Sequence, residues 1–175
     1  MEAVINKLGG MEGVEAFLSG KLVILDPVLL AEIESHTIPA TTATFECTKD
    51  FAPLIWEGFE ARFIGQLERP KSETIVVQYR LKRDSRSLEI VESLGGPNRV
   101  ATSLVEIKYF IDKEVKGETG VLLNNGRTNV FFAPDNEGVL CSIVVRRAGV
   151  WIVDASPVIG GMLRYTAADR VFSRN

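Results

Sequence analysis

Hydrophobic and polar residues alternate most regularly between Thr119 and Ser156, in short runs separated by turn signals. Thr119–Asn124 and Thr128–Ala133 flank Asn125-Gly126, a pair suited to a type I′ turn because both central residues of that turn need positive φ. Pro134–Gly138 supplies the next turn before Val139–Val145, and Arg147–Gly149 leads into Val150–Ala155. The spacing predicts a four-stranded antiparallel meander on which the rest of the chain packs. Thr74–Leu81, rich in β-branched residues, predicts another strand, and Tyr165–Phe172 reads as a last edge strand, centred on Arg170–Phe172, or a short helix.

Helical periods appear elsewhere. Ser103 with Glu106 three residues on forms a capping box ahead of Leu104, Ile107, Phe110, Ile111 and Val115, which share one helical face, and Gly117 closes the helix. Ser87–Leu94 predicts a shorter helix closed by Gly95, Gly96 and Pro97, and Arg99–Thr102 reads as extended. Nearer the start, Val4, Ile5 and Leu8 predict one short helix, and Val14, Phe17 and Leu18 a second. Leu22–Leu25 reads as extended, and Asp26 caps a helix beginning at Pro27 and running to Ser35. Ile38–Thr44 reads as a linker, Phe45–Thr48 as a short strand and Phe51–Pro53 as a turn. Trp56, Phe59 and Phe63 read as apolar anchors in a strand pair or a loop crossing the core.

The fold expected from these pieces is α+β. A mainly antiparallel β-sheet of five to seven strands, with its C-terminal meander at 119–156, carries one packed helix. Residues 1–38 are expected to form an N-terminal helical arm or lobe, and 39–175 the α+β domain.

Composition narrows the class. With 46% hydrophobic and 25% charged residues the chain has an ordinary globular balance. No apolar run approaches the roughly 20 residues that span a bilayer, and the opening residues lack the positive and apolar regions of a secretory signal. Two cysteines far apart then suggest reduced thiols and a cytoplasmic location, with no membrane partner. The net charge of −3 conceals an asymmetry: residues 1–60 carry three Lys/Arg against ten Asp/Glu, whereas residues 140–175 carry five Arg against two Asp. Opposed ends of this kind can attract each other within one chain or between copies.

A set of short motifs points to kinship. Leu8-Gly9-Gly10-x-Glu12-Gly13-Val14-x-x-Phe17-Leu18-x-Gly20 resembles the opening of a group of uncharacterised bacterial proteins. Ser103-Leu104, Leu122–Gly126 followed by Asn129–Phe132, Asp135-x-x-Gly138, Trp151-x-Val153-x-Ala155 and Arg170–Arg174 are similar to later parts of the same group. The likeness covers about half of the chain, and residues 39–93 match it less clearly. It brings no activity with it.

Candidate chemistry is sparse. One histidine, His36, and two isolated cysteines, Cys47 and Cys141, offer no metal-ligand spacing, so neither a metal nor another cofactor is expected. Asp135–Gly138 reads as a hairpin turn rather than a calcium loop. Cys47, set among polar neighbours, with His36 as its base, is the candidate nucleophilic pair, and Asp154 stands out as an acid in an apolar strand. Cys141 reads as a buried small hydrophobe. Arg146, Arg147, Arg164, Arg170 and Arg174, with Tyr165 among them, are the candidate partner-binding or nucleic-acid-binding residues. The reading favoured is a non-enzymatic protein-interaction module with a protein partner or a second copy of itself. The alternatives are a small hydrolase-like enzyme whose carboxylates converge only in three dimensions, and a nucleic-acid-binding protein using the C-terminal arginines.

Overall fold

A computed structural model describes residues 29–174. In chain order the elements are β1 (Leu30–Ile38), β2 (Phe45–Glu46), β3 (Leu54–Ile55), α1 (Glu57–Phe63), β4 (Leu67–Glu68), β5 (Thr74–Leu81) and β6 (Ser85–Arg86). Then follow α2 (Ser87–Ser93), α3 (Pro97–Val100), α4 (Leu104–Lys113), β7 (Thr128–Pro134), β8 (Leu140–Ala148), β9 (Val150–Pro157), β10 (Arg164–Tyr165) and β11 (Arg170–Arg174). The class is α+β, built on one seven-stranded sheet in the order β1-β5-β11-β7-β8-β9-β3.

The sheet is mixed, not purely antiparallel: β1-β5, β5-β11, β7-β8 and β8-β9 pair antiparallel, whereas β11 runs parallel to β7 and β3 parallel to β9. Tight turns force antiparallel neighbours, and β7-β8-β9 obey that rule. The other two strands return from a distance, so no turn dictates their direction.

The same arrivals explain the missing strand of the meander. Thr119–Asn124 is a loop, because β11 occupies the place beside β7 through Arg170↔Asn129 and Val171↔Val130. Side chains pin the loop instead. Asn129 accepts from the Leu123 N–H through Oδ1 (2.8 Å) and donates through Nδ2 to the Leu123 carbonyl (3.1 Å). Gly126 still turns at φ 84°.

The helix expected from Pro27 to Ser35 is corrected to a strand over Leu30–Ile38, paired with β5 from Leu30↔Leu81 to Ile38↔Thr74. The open edge of the β-branched β5 supplies a ladder that a solvated helix with Glu32 and Glu34 on it does not. Residues 30–38 therefore belong to the main sheet and not to a helical arm. The helices expected around Val4–Leu8 and Val14–Leu18, and the extended run Leu22–Leu25, lie outside the described residues. Phe59 and Phe63 sit four apart on α1, not in a strand or loop, and their rings stack at 4.9 Å. Pro97 opens a single helical turn through Val100, where an extended run was expected.

Both faces of the sheet are packed. On one, α4 and α1 cover Val76, Phe131, Ile143, Val153 and Phe172, with Phe131 and Phe172 stacked at 4.4 Å. On the other, Ile90 and Val91 of α2, Val100 of α3 and Tyr165 of β10 cover Leu81, Val130, Phe132 and Val171. Among the described residues no helix is long and apolar enough to cross a membrane.

Candidate functional site

The nucleophile candidates do not meet. Cys47 is fully buried beside Phe51 and Phe59, and its thiol is pushed up to about 12 by burial and then by the charge of Glu68. Cys141 is equally buried, and burial followed by Asp135 pushes it up to about 11. A thiolate nucleophile needs the opposite environment. His36 faces Gln78, with Nε2 3.4 Å from Oε1, and sets its ring edge-on to Phe110 at 5.6 Å.

The arginines disperse. Arg147 donates to the Lys116 carbonyl at 2.7 Å, Arg170 donates to the Val121 carbonyl, and Arg174 grips Glu106; all three lie on the α4 face. Tyr165 is buried under α2 on the opposite face, and Arg164 beside it is exposed. Arg146 alone turns to an aromatic ring, its guanidinium carbon 4.5 Å from the centroid of Trp56.

That pair marks a stretch of the second face, at its β3 end, where side chains stay exposed. Strand alternation puts Arg146, Ile152 and Leu54 in a cross-strand row, since Arg146 pairs with Ile152 and Ile152 with Leu54. Val150 and Asp154 lie two residues to either side of Ile152 on the same face, as the sequence alternation implies. Trp56 lies two residues beyond Leu54. Leu54, Trp56 and Val150 are 43%, 42% and 47% exposed, whereas Ile152 beneath them is buried.

Local structure holds Trp56 in place. Its N–H donates to the Val153 carbonyl at 2.9 Å, which extends the β3–β9 pairing by one bond before α1 begins. Gly58 then lets α1 press on β9: a Cβ there would sit 2.4 Å from the Ala155 carbonyl oxygen and 2.6 Å from Asp154 Oδ1. Asp154 is half-buried, and its Oδ1 accepts the Ala155 N–H at 2.8 Å. The face thus offers an indole, a guanidinium and two aliphatic side chains, with Asp154 farther along β9 on the same face.

Leu54, Val150 and Gly58 were not among the sequence candidates, and Trp56 was read as a core anchor. Its exposure follows from Ile55 taking the inward position on a two-residue strand, which a hydrophobicity pattern alone does not specify. Asp135 is confirmed as a turn residue: Oδ1 accepts from Glu137 and Val139, and Oδ2 from Arg62 at 2.8 Å. Among the described residues, no group of three or more His, Cys, Asp or Glu is placed to hold a metal ion. No family model, curated protein or solved structure matches the chain.

Proposed function

We propose that the protein is a non-enzymatic protein-interaction module and that Leu54, Trp56, Arg146 and Val150 form its contact face. The observation that carries this reading is the half-exposed Trp56 ring held beneath the Arg146 guanidinium on a part of the sheet that no described helix covers. Trp and Arg are the residue types that dominate binding energy at protein interfaces, above all when aliphatic neighbours exclude water around them. The cation–π contact also fixes both side chains before a partner arrives, which lowers the entropic cost of docking. The partner is a protein surface with an apolar centre and an acidic group for Arg146, carried either by another protein or by a second copy of this chain.

Light scattering on the purified chain, together with a pulldown, tests the proposal. Wild type is expected to self-associate or to retain a protein partner, and Trp56→Ala to abolish either interaction while keeping the same circular dichroism. A strictly monomeric wild type that retains nothing, or a Trp56→Ala variant that binds equally well, overturns it. Salt-sensitive binding of single-stranded oligonucleotides through Trp56 would favour a nucleic-acid partner instead.

A further inference from the structure

A cavity of about 690 Å³ lies on the second face at the β1 end of the sheet, the end remote from Trp56. Its apolar lining is Tyr79 of β5, Leu94 after α2, and Leu29 and Leu30 where β1 begins. All four belong to the second core: Leu29 and Leu30 are 8% exposed, and Tyr79 and Leu94 are partly buried against it. The cavity therefore interrupts the edge of that core, and its volume is one at which natural clefts take up a guest. Charges of both signs surround it, Arg83 and Arg99 against Glu89 and Glu92, while the Arg174 guanidinium is committed to Glu106 on the other face.

Leu29 is also where the chain enters the described residues. Its carbonyl accepts the Lys82 N–H at 2.9 Å, which fixes the entry at the rim, with Arg83 next along from Lys82. Just before it in sequence, Leu22–Leu25 is four apolar residues in a row, flanked by Lys21 on one side and Asp26-Pro27 on the other. Because Leu30–Ile38 is a strand, Asp26-Pro27 does not open a helix through it. Asp followed by Pro suits the first two positions of a type I turn, which Leu29 would complete as the fourth. A turn there sends the preceding residues back across the rim, and so short a tether keeps their local concentration high.

We propose that the cavity is filled by the chain's own Leu22–Leu25, folded back at Asp26-Pro27. Burial of these aliphatic side chains against Tyr79, Leu94, Leu29 and Leu30 removes apolar surface from water on both sides. The flanks match in charge: Asp26 passes Arg83 at the entry, and Lys21 meets Glu89 and Glu92 on α2. The seat is at the opposite end of the sheet from the Trp56 face and does not depend on it.

The test is nuclear Overhauser spectroscopy on the full chain with 13C-labelled leucine, isoleucine and valine methyls. Cross-peaks are expected from the Leu22–Leu25 methyls to the Leu94 methyls and the Tyr79 ring. In a mixture of labelled and unlabelled chains, isotope filtering is expected to show no such peaks between molecules. Ile24→Asp is expected to erase them and to shift the Leu94 methyls, leaving Ile107 and Ile111 of α4 in place. Ile24→Ser serves if the aspartate variant does not fold. The proposal is overturned by absence of peaks to Leu94 and Tyr79, or by peaks confined to Ile33, which would put the run on the open edge of β1. Peaks found only between molecules, which would seat a second copy there, or Leu94 methyls unmoved in the variant, overturn it as well.

Discussion

The Arg174 guanidinium spans both carboxylate oxygens of Glu106, with Nε at 3.0 and 3.1 Å and its second nitrogen at 2.7 Å from Oε1. Thr74 Oγ1 donates to the same carboxylate at 2.8 Å, and so does the Ser103 N–H at the start of α4. One side chain therefore joins the N-terminus of α4 to β5 and β11.

Glu106 is 1% exposed and Arg174 about a third, so removing the arginine strands a buried charge. Arg174→Ala is expected to cost roughly 3 kcal/mol in urea unfolding, toward the low end for a broken buried pair because the arginine is partly solvated. Arg174→Lys is expected to recover only part of it, since an ammonium does not straddle two oxygens.

Two glutamates give opposite pH signatures. Burial alone would raise Glu106, yet the Arg174 and Thr74 hydrogen bonds hold it below the usual range. Its contribution is full above the unfolded value of about 4.3 and is lost as pH falls through the lower folded value. Burial raises Glu114, just after α4, so its contribution is full below about 4.3 and is lost as pH climbs through the folded value. Thermal melts should therefore show Glu114→Gln losing stability less steeply than wild type from weakly acid to neutral pH. Glu106→Gln should instead flatten the acid limb.

Ala168 is the only non-glycine described with positive φ, at 78°, in the turn before β11. A left-handed backbone costs an L-residue about 1–2 kcal/mol, part of which glycine returns through its freer unfolded chain. Ala168→Gly is expected to stabilise the protein by about 0.5–1 kcal/mol in chemical denaturation.

Gly58→Ala should act at a distance from its own small side chain. The Cβ would collide with the Ala155 carbonyl, which is backbone and does not swing away. A cost of about 1–3 kcal/mol is expected, together with a shift in the fluorescence of the exposed Trp56 and weaker partner binding.

Cys47 and Cys141 are both fully buried, with thiols near 12 and 11. Iodoacetamide at neutral pH should label neither in the native protein and both after unfolding. Labelling of native Cys47 would revive it as a nucleophile.

Local chemistry alone determined a good part of this molecule. Thr74–Leu81, Ser87–Ser93 and strands β7, β8 and β9 follow from hydrophobic period and turn residues, and Ser103 with Glu106 announces the start of α4, because those signals act within a few residues. Only the tertiary structure decided that β11 slots between β5 and β7, that Leu30–Ile38 becomes a strand, and that Glu106 finds Arg174 sixty-eight positions away. The exposed Trp56 and the buried Glu114 belong to the same class. Each depends on which strand edges and faces remain free once the local units have formed, and that is settled by packing between segments remote in the chain.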